Sequence, residues 1–451
     1  MTIAETFAEF LIGTTYDELP DRALDHAAMI VASTLASAAC GRHINSARIV
    51  CDIERARGGT PEASVWFDGG AKLPLVGAAR ANALASDAAA SDDSDLRNIV
   101  HAGTPLTATA LAAAEATGAG GKDVLAAIAV GYEAAGRIGE AIIPRFDYRG
   151  HHGCMGATYG ATAAAARLLG LDAVQMAHAL VLTATSIGGL TKAANTSIAR
   201  EYHAGNATML GIEAVLAAKR GYTGELNVFE VERGFCQVYG GSDGAGIVEG
   251  LGKDWDIVTD MALKLVPGGH PYHALGEAGA KAARDGNIAP EEVAAIIVSR
   301  PGMSKLSGPL HPETLIDMAH SPAYFTAAGV RDHAFGWEHA SPGKIADPVI
   351  HGLIDKVRVG PEPVDDVEKY RQGASVRIET TDGREVGATV FVPKGAGCLG
   401  IDWADVDSKF RTLVPNAPLS AAQIDAALER IRGFRALDGM DALLAGIVAG
   451  A

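Results

Sequence analysis

The 451-residue sequence predicts a mainly α protein, a large all-helical domain followed by a smaller α+β lid domain. Three observations predict it. Alanine-rich segments with helical spacing fill the chain to about residue 255, and alanine is the best helix former because it loses no side-chain entropy. β-Branched and alternating segments appear only after about residue 258. Helical spacing then returns in the tail, so that 1–258 with 396–451 form the helical domain and 259–395 the lid.

Each element has its own signal. The opening MTIAETFAEF carries acids within its apolar spacing and no basic stretch, which predicts an amphipathic helix and not a signal peptide. Asp17, Pro20 and Asp21 suit a first turn, and the helix they open runs from Arg22 to Cys40, ending near Gly41. Further helices are predicted over 76–90, 104–117, 122–140, 154–169, 172–188 and 204–220, each closed by a glycine or a turn. Several are rich in small residues on more than one face, the composition of buried helices whose axes approach closely. Val293 to Ser299 predicts a strand that ends before Arg300-Pro301. Ala374–Thr380 and Glu385–Val392 alternate on either side of Asp382-Gly383 and predict a hairpin. Ser420 to Val448 predicts the returning helices, packed back on the first domain.

Composition excludes several classes. Apolar residues make up 48 % and charged residues 20 %, too apolar for a disordered chain and ample for a core. The net charge of −16 argues against nucleic-acid binding, while leaving room for a local cationic cluster around a small anion. Five scattered cysteines fit a reducing compartment, and no run of about 18 apolar residues predicts a membrane span, so the expectation is a cytoplasmic protein. Signatures of α/β hydrolases, zincins, P-loop proteins and dinucleotide-binding folds are missing.

Polar residues instead gather at the ends of apolar helices. Asp92-Asp93-Ser94-Asp95 with Arg97 and His101 precede one helix, and His151-His152 precede another. Arg200 and His203 open a third, and Lys264, His270, Tyr272 and His273 stand at the domain junction. Helix N-termini carry free N–H groups and partial positive charge, so such clusters suit carboxylates, with histidines able to titrate near neutral pH. Taken singly, the acidic run reads more readily as a solvated capping loop, and His203 as a structural residue, while His151-His152 reads equally either way.

The segments Gly131-Tyr132-Glu133 through Gly139, His151, Gly156 through Leu171, Arg200 through Ala207, Gly211 through Ala214, Gly221 through Gly224, Lys264 with Pro267 and His273, and Ala319 through Tyr324 together resemble the MmgE/PrpD family. That family contains 2-methylcitrate dehydratase, cis-aconitate decarboxylase and iminodisuccinate epimerase. The resemblance implies a homodimer with an active site between helical domain and lid, and neither metal nor organic cofactor. It implies His151, His101, Tyr324 and Lys264 as catalytic candidates, with His151 foremost as base or acid. Arg200, Asp93, His152, His270 and Arg97 are the expected substrate-binding residues, Arg200 as a planar fork on a carboxylate. Three positions depart from the family pattern: Ala90 replaces an aspartate, Arg200 a lysine, and Gly269 the histidine of the decarboxylases. The expected activity is removal of a proton next to a carboxylate of a small di- or tricarboxylic acid, by a hydro-lyase. An isomerase or epimerase on a similar acid, or a non-catalytic polycarboxylate-binding protein, are the alternatives.

Overall fold

A computed structural model describes residues 1–144 and 149–447. The end of the predicted tail helix, Val448, lies outside the described residues. The chain divides into two compact units. The first comprises Met1–Ala194, Ile198–Leu263 and 402–447, and the second Asn195–Ser197 and Lys264–Ile401.

The first unit is a helical assembly. Its helices are α1 (Ile3–Gly13), α2 (Asp21–Gly41), α3 (Asn45–Arg57), α4 (Leu75–Ala88), α5 (Gly103–Thr117), α6 (Gly121–Ile142), α7 (Cys154–Leu168), α8 (Ala173–Ser186), the short α9 (Thr191–Thr196) and α10 (Ala199–Lys219). The amphipathic opening is α1, whose Thr2 and Glu5 form a reciprocal cap. Helix α2 is long and apolar enough to cross a membrane by length and composition alone, yet most of it is buried inside the unit, as in a core helix. Helices α6 and α7 meet through small residues. A side chain at Gly131 would come within 2.9 Å of the Gly160 carbonyl, and one at Gly160 within 2.9 Å of the Gly131 carbonyl. Glycine at both positions is what lets these backbones touch.

The C-terminal helix Trp403–Leu413 packs on α2, and its Lys409 is buried there, donating to Ser33 Oγ (2.6 Å) and to the Ser91 carbonyl. Two small strand pairs, β1 (Ala63–Ser64) with β2 (Lys72–Leu73) and β3 (Asp93–Asp95) with β4 (Met261–Leu263), are antiparallel. The sequence signal missed both, because strands this short have no readable period.

The second unit carries a four-stranded sheet of order β6-β5-β7-β8, built from β5 (Val293–Ser299), β6 (Val357–Val359), β7 (Ala374–Thr380) and β8 (Glu385–Val390). Strand β5 runs parallel to β6 and antiparallel to β7, and β7–β8 is the predicted hairpin. The helices His270–Asp285 and Pro322–Asp332 cover this sheet's apolar face with a core that includes Leu275, Ile296, Tyr324, Phe325 and Val376.

Candidate functional site

Three histidines line up in the first unit. The ring centroids of His101 and His152 are 6.3 Å apart, and those of His152 and His203 are 5.3 Å apart. His101 sits just before α5, at the end of the turn that follows β3. The turn is closed by the Ile99 N–H donating to the Asp95 carbonyl and the Asp95 N–H donating to the Val100 carbonyl, both at 2.8 Å. His152 is held by its backbone N–H on the Gly189 carbonyl (3.2 Å), two residues before α7 begins. His203 lies in the first turns of α10, three residues after Arg200 and so on the same face.

The acidic run is buried, not solvated: Asp92, Asp93 and Asp95 are each 2 % exposed or less. Asp92 places Oδ2 3.2 Å from Nδ1 of His101. The same nitrogen lies 2.6 Å from the Asp93 carbonyl oxygen. Two acceptors at Nδ1 fix the proton there and turn Nε2 into the nitrogen that exchanges protons. Asp93 has a different task. Both its carboxylate oxygens accept from the Gly103 N–H at 2.9 Å, capping α5. Burial, then the charge of Asp92, push its carboxyl up to about 7. Asp93, expected from the sequence to bind substrate, has both carboxylate oxygens engaged on this helix start.

Arg200 is buried, and its guanidinium donates to the Asp87 carbonyl, with the Asp87 carboxylate 3.5 Å away. Burial opposes its charge, but Asp87, Asp92 and Glu201 outweigh that and raise its pKa. It therefore stays charged, on the face of α10 that also carries His203. Cys154, the first residue of α7, completes the wall: one ligand atom from each of His152, Cys154 and His203 lies within 4.8 Å of the others.

The other expected residues are placed elsewhere. His151 is 6 % exposed, with Nε2 2.9 Å from the Ile142 carbonyl and its ring edge-on to Tyr239 at 5.5 Å. Residues alternate in direction along the bridge that pairs His151 with Leu190, so His152 and not His151 joins the row. Arg97 donates to Asp256 at 2.6 Å and borders a separate cleft of about 630 Å³ lined by Arg137, Glu140, Asp256 and Asp260. In the second unit, Tyr324 is buried in the core and its hydroxyl donates to the His339 carbonyl at 2.8 Å. His270 and His273 lie with ring centroids 4.7 Å apart and planes tilted by 31°, and the Gly269 N–H donates to the Ala319 carbonyl at 2.8 Å, which pins the start of their helix. Lys264 is buried and directly follows Leu263, the partner of Asp93 across β3–β4. Sequence reasoning passed over Cys154 and Asp87 and set His203 aside. The usable signal was spacing, Arg200 to His203 on one helix face and His152 to Cys154 at a helix start.

The first unit thus presents a row of imidazoles, one of them oriented by a carboxylate, and a buried guanidinium, a set suited to moving protons next to an anion. The profile of the MmgE/PrpD N-terminal domain matches residues 5–247, and that of the MmgE/PrpD C-terminal domain matches 267–431. The chain belongs to the MmgE/PrpD family. Among curated proteins it is similar to cis-aconitate decarboxylase of Homo sapiens, 25 % identical over 79 % of this chain and 76 % of the relative. The Mus musculus cis-aconitate decarboxylase is 24 % identical over 80 % of this chain and 76 % of its own. That of Aspergillus terreus is 31 % identical over a shorter stretch, 44 % of this chain and 43 % of the relative. Family and relatives are enzymes, and the decarboxylases are lyases.

Proposed function

We propose that this chain is a lyase that moves a proton at a carbon next to a carboxylate of a small di- or tricarboxylic acid, using its imidazoles and no cofactor. The observation that carries the reading is the row His101–His152–His203 with Asp92 behind His101. Neutral His152 takes the C–H proton, and the electron pair left on carbon spreads into the neighbouring carboxylate. That dianionic intermediate needs a nearby cation, a need met by Arg200, which shares a face of α10 with His203. His101, held by Asp92, returns a proton from Nε2 to the departing hydroxyl.

The relatives' name favours a second outcome on the same groups. If the bond to carbon dioxide breaks in place of C–H, the electron pair returns to carbon and imidazolium supplies the proton. Gly269, where the decarboxylase pattern has a histidine, favours the first outcome. Incubation with hydroxylated, unsaturated and amino polycarboxylates in heavy water, followed by proton NMR, separates them. Elimination gives a new vinyl signal, decarboxylation a shorter acid carrying one deuterium, and epimerisation exchange without loss. We expect His152→Gln and His101→Gln each to slow the reaction by on the order of 10² or more. A wild-type protein that binds such acids tightly and transforms none of them would replace the enzyme reading with that of a binding protein.

A further inference from the structure

The row of imidazoles ends against a thiol, which the proton chemistry does not use. We propose that His152, Cys154 and His203 form a binding site for a divalent ion of the zinc class, and that its occupation switches the proposed reaction off. The binding half stands on geometry alone, whereas the inhibitory half rests on the proton-transfer reading.

The three ligand atoms already lie within 4.8 Å of one another. In a tetrahedral site with metal–nitrogen bonds of about 2.0–2.1 Å and metal–sulfur bonds of about 2.3 Å, ligand atoms sit roughly 3.4–3.6 Å apart. Small rotations of the half-buried His152 and His203 side chains close that difference. Cys154 is the fixed member, buried at the start of α7.

The wall around the three residues keeps their atoms facing one another. A Cβ at Gly189 would stand 2.9 Å from the Cys154 sulfur and 3.6 Å from His203 Nε2, so only glycine leaves that space open. Nδ1 of His203 is buried and has no hydrogen-bond partner among the described residues. Two imidazoles and a thiolate select zinc, copper or nickel over magnesium or calcium, which prefer oxygen. Three protein ligands leave the fourth position for water or a substrate carboxylate.

Binding is balanced by proton release. The sulfur–metal bond forms as the thiol hydrogen leaves to solvent, and the site gains a net single positive charge. Asp87, whose charge acts on Cys154, and Asp92, beside His101, stand near to offset it. An imidazole lone pair held by a metal cannot accept a proton, so His152 is lost to the reaction while the ion stays.

The test uses the full-length protein freed of metal by a chelator and titrated with Co²⁺. We expect one ion per chain, a thiolate-to-cobalt charge-transfer band in the near ultraviolet, and about one proton released per ion. Cys154→Ser should abolish the band and weaken binding at least tenfold, and His203→Gln should weaken it comparably. Turnover of Cys154→Ser should persist and no longer respond to Zn²⁺. Cobalt bound without the band, or a band that survives in Cys154→Ser, would overturn the site. Because the band is read without substrate, its absence from an active protein refutes the metal site alone. Its presence in a protein that turns over no acid refutes the proposed function and the switch while leaving the binding site standing.

Discussion

Oδ2 of Asp92 lies 3.2 Å from Nδ1 of His101, and the carboxylate is fully buried while the imidazole keeps partial access to solvent. This is the arrangement in which a carboxylate holds a histidine in one tautomer and stabilises the imidazolium as it forms. Asp92→Asn preserves size and removes the charge. We expect turnover to fall by on the order of 10² with an unchanged circular-dichroism spectrum, and nitrogen NMR of His101 to show a redistributed tautomer. Unchanged turnover would mean that His101 does not handle a proton.

Much of this fold was legible because its elements have periods. Strand β5 was read over Val293–Ser299, the span it occupies, and β7–β8 was read from alternation around Asp382-Gly383. The helix read as 104–117 forms over Gly103–Thr117, and that read as 154–169 over Cys154–Leu168. The site was legible only in part. A sequence shows that Asp92 and His101 occur in one loop, but not that the loop is drawn inside by β3–β4 pairing and by Lys409 from the far end of the chain. It shows two adjacent histidines, and only the bridge of His151 to Leu190 decides which one faces the other rings. The spacing of His152 and Cys154 was readable, but not that the fold brings His203, distant in sequence, within 4.8 Å of both.

Helix α5 starts under tight constraint. A Cβ at Gly103 would meet Asp93 Oδ1 at 2.6 Å and Ile30 Cγ2 at 2.9 Å. Gly103→Ala must therefore displace the capping carboxylate or the helix start. We expect a loss of about 1–3 kcal/mol in chemical denaturation, accompanied by a fall in turnover because His101 is two residues away. An unchanged denaturation midpoint would show that the cap yields freely.

Asp87 and Arg200 make a buried pair whose members answer differently to removal. Asp87→Ala strands a guanidinium that is almost wholly out of water, and should cost about 3 kcal/mol or more. Replacing both, Asp87→Leu with Arg200→Met, removes the stranded charge and should cost less than the single change. Urea unfolding of the wild type and both variants checks the order. A double variant less stable than Asp87→Ala would show that the pair's attraction exceeds its cost of burial.

Tyr324 separates a structural from a chemical role. Its hydroxyl donates to the His339 carbonyl inside the core, so Tyr324→Phe should lower stability by about 1 kcal/mol and leave turnover near the wild-type rate. A large drop in turnover with intact stability would make it a catalytic residue, as the family resemblance implies.

Buried carboxyls give the protein a pH dependence of definite sign. Burial, then the charge of Asp260, push Asp95 up to about 7, and Asp93 stands at about the same value. In the unfolded chain an aspartate ionises near 3.9. Between those values the native state holds protons that the unfolded chain has released, so stability falls as pH rises from about 4 to about 7. The slope is at most about 1.4 kcal/mol per pH unit for each such group, and above pH 7 their contribution is flat. Asp95→Asn keeps an oxygen for the backbone N–H groups of Arg97 and Asn98 and carries no charge to bury. Denaturation midpoints of this variant should decline less steeply than wild type between pH 5 and 7, leaving it relatively more stable at pH 8. Equal slopes would show that Asp95 is ionised throughout, its charge balanced by Arg97.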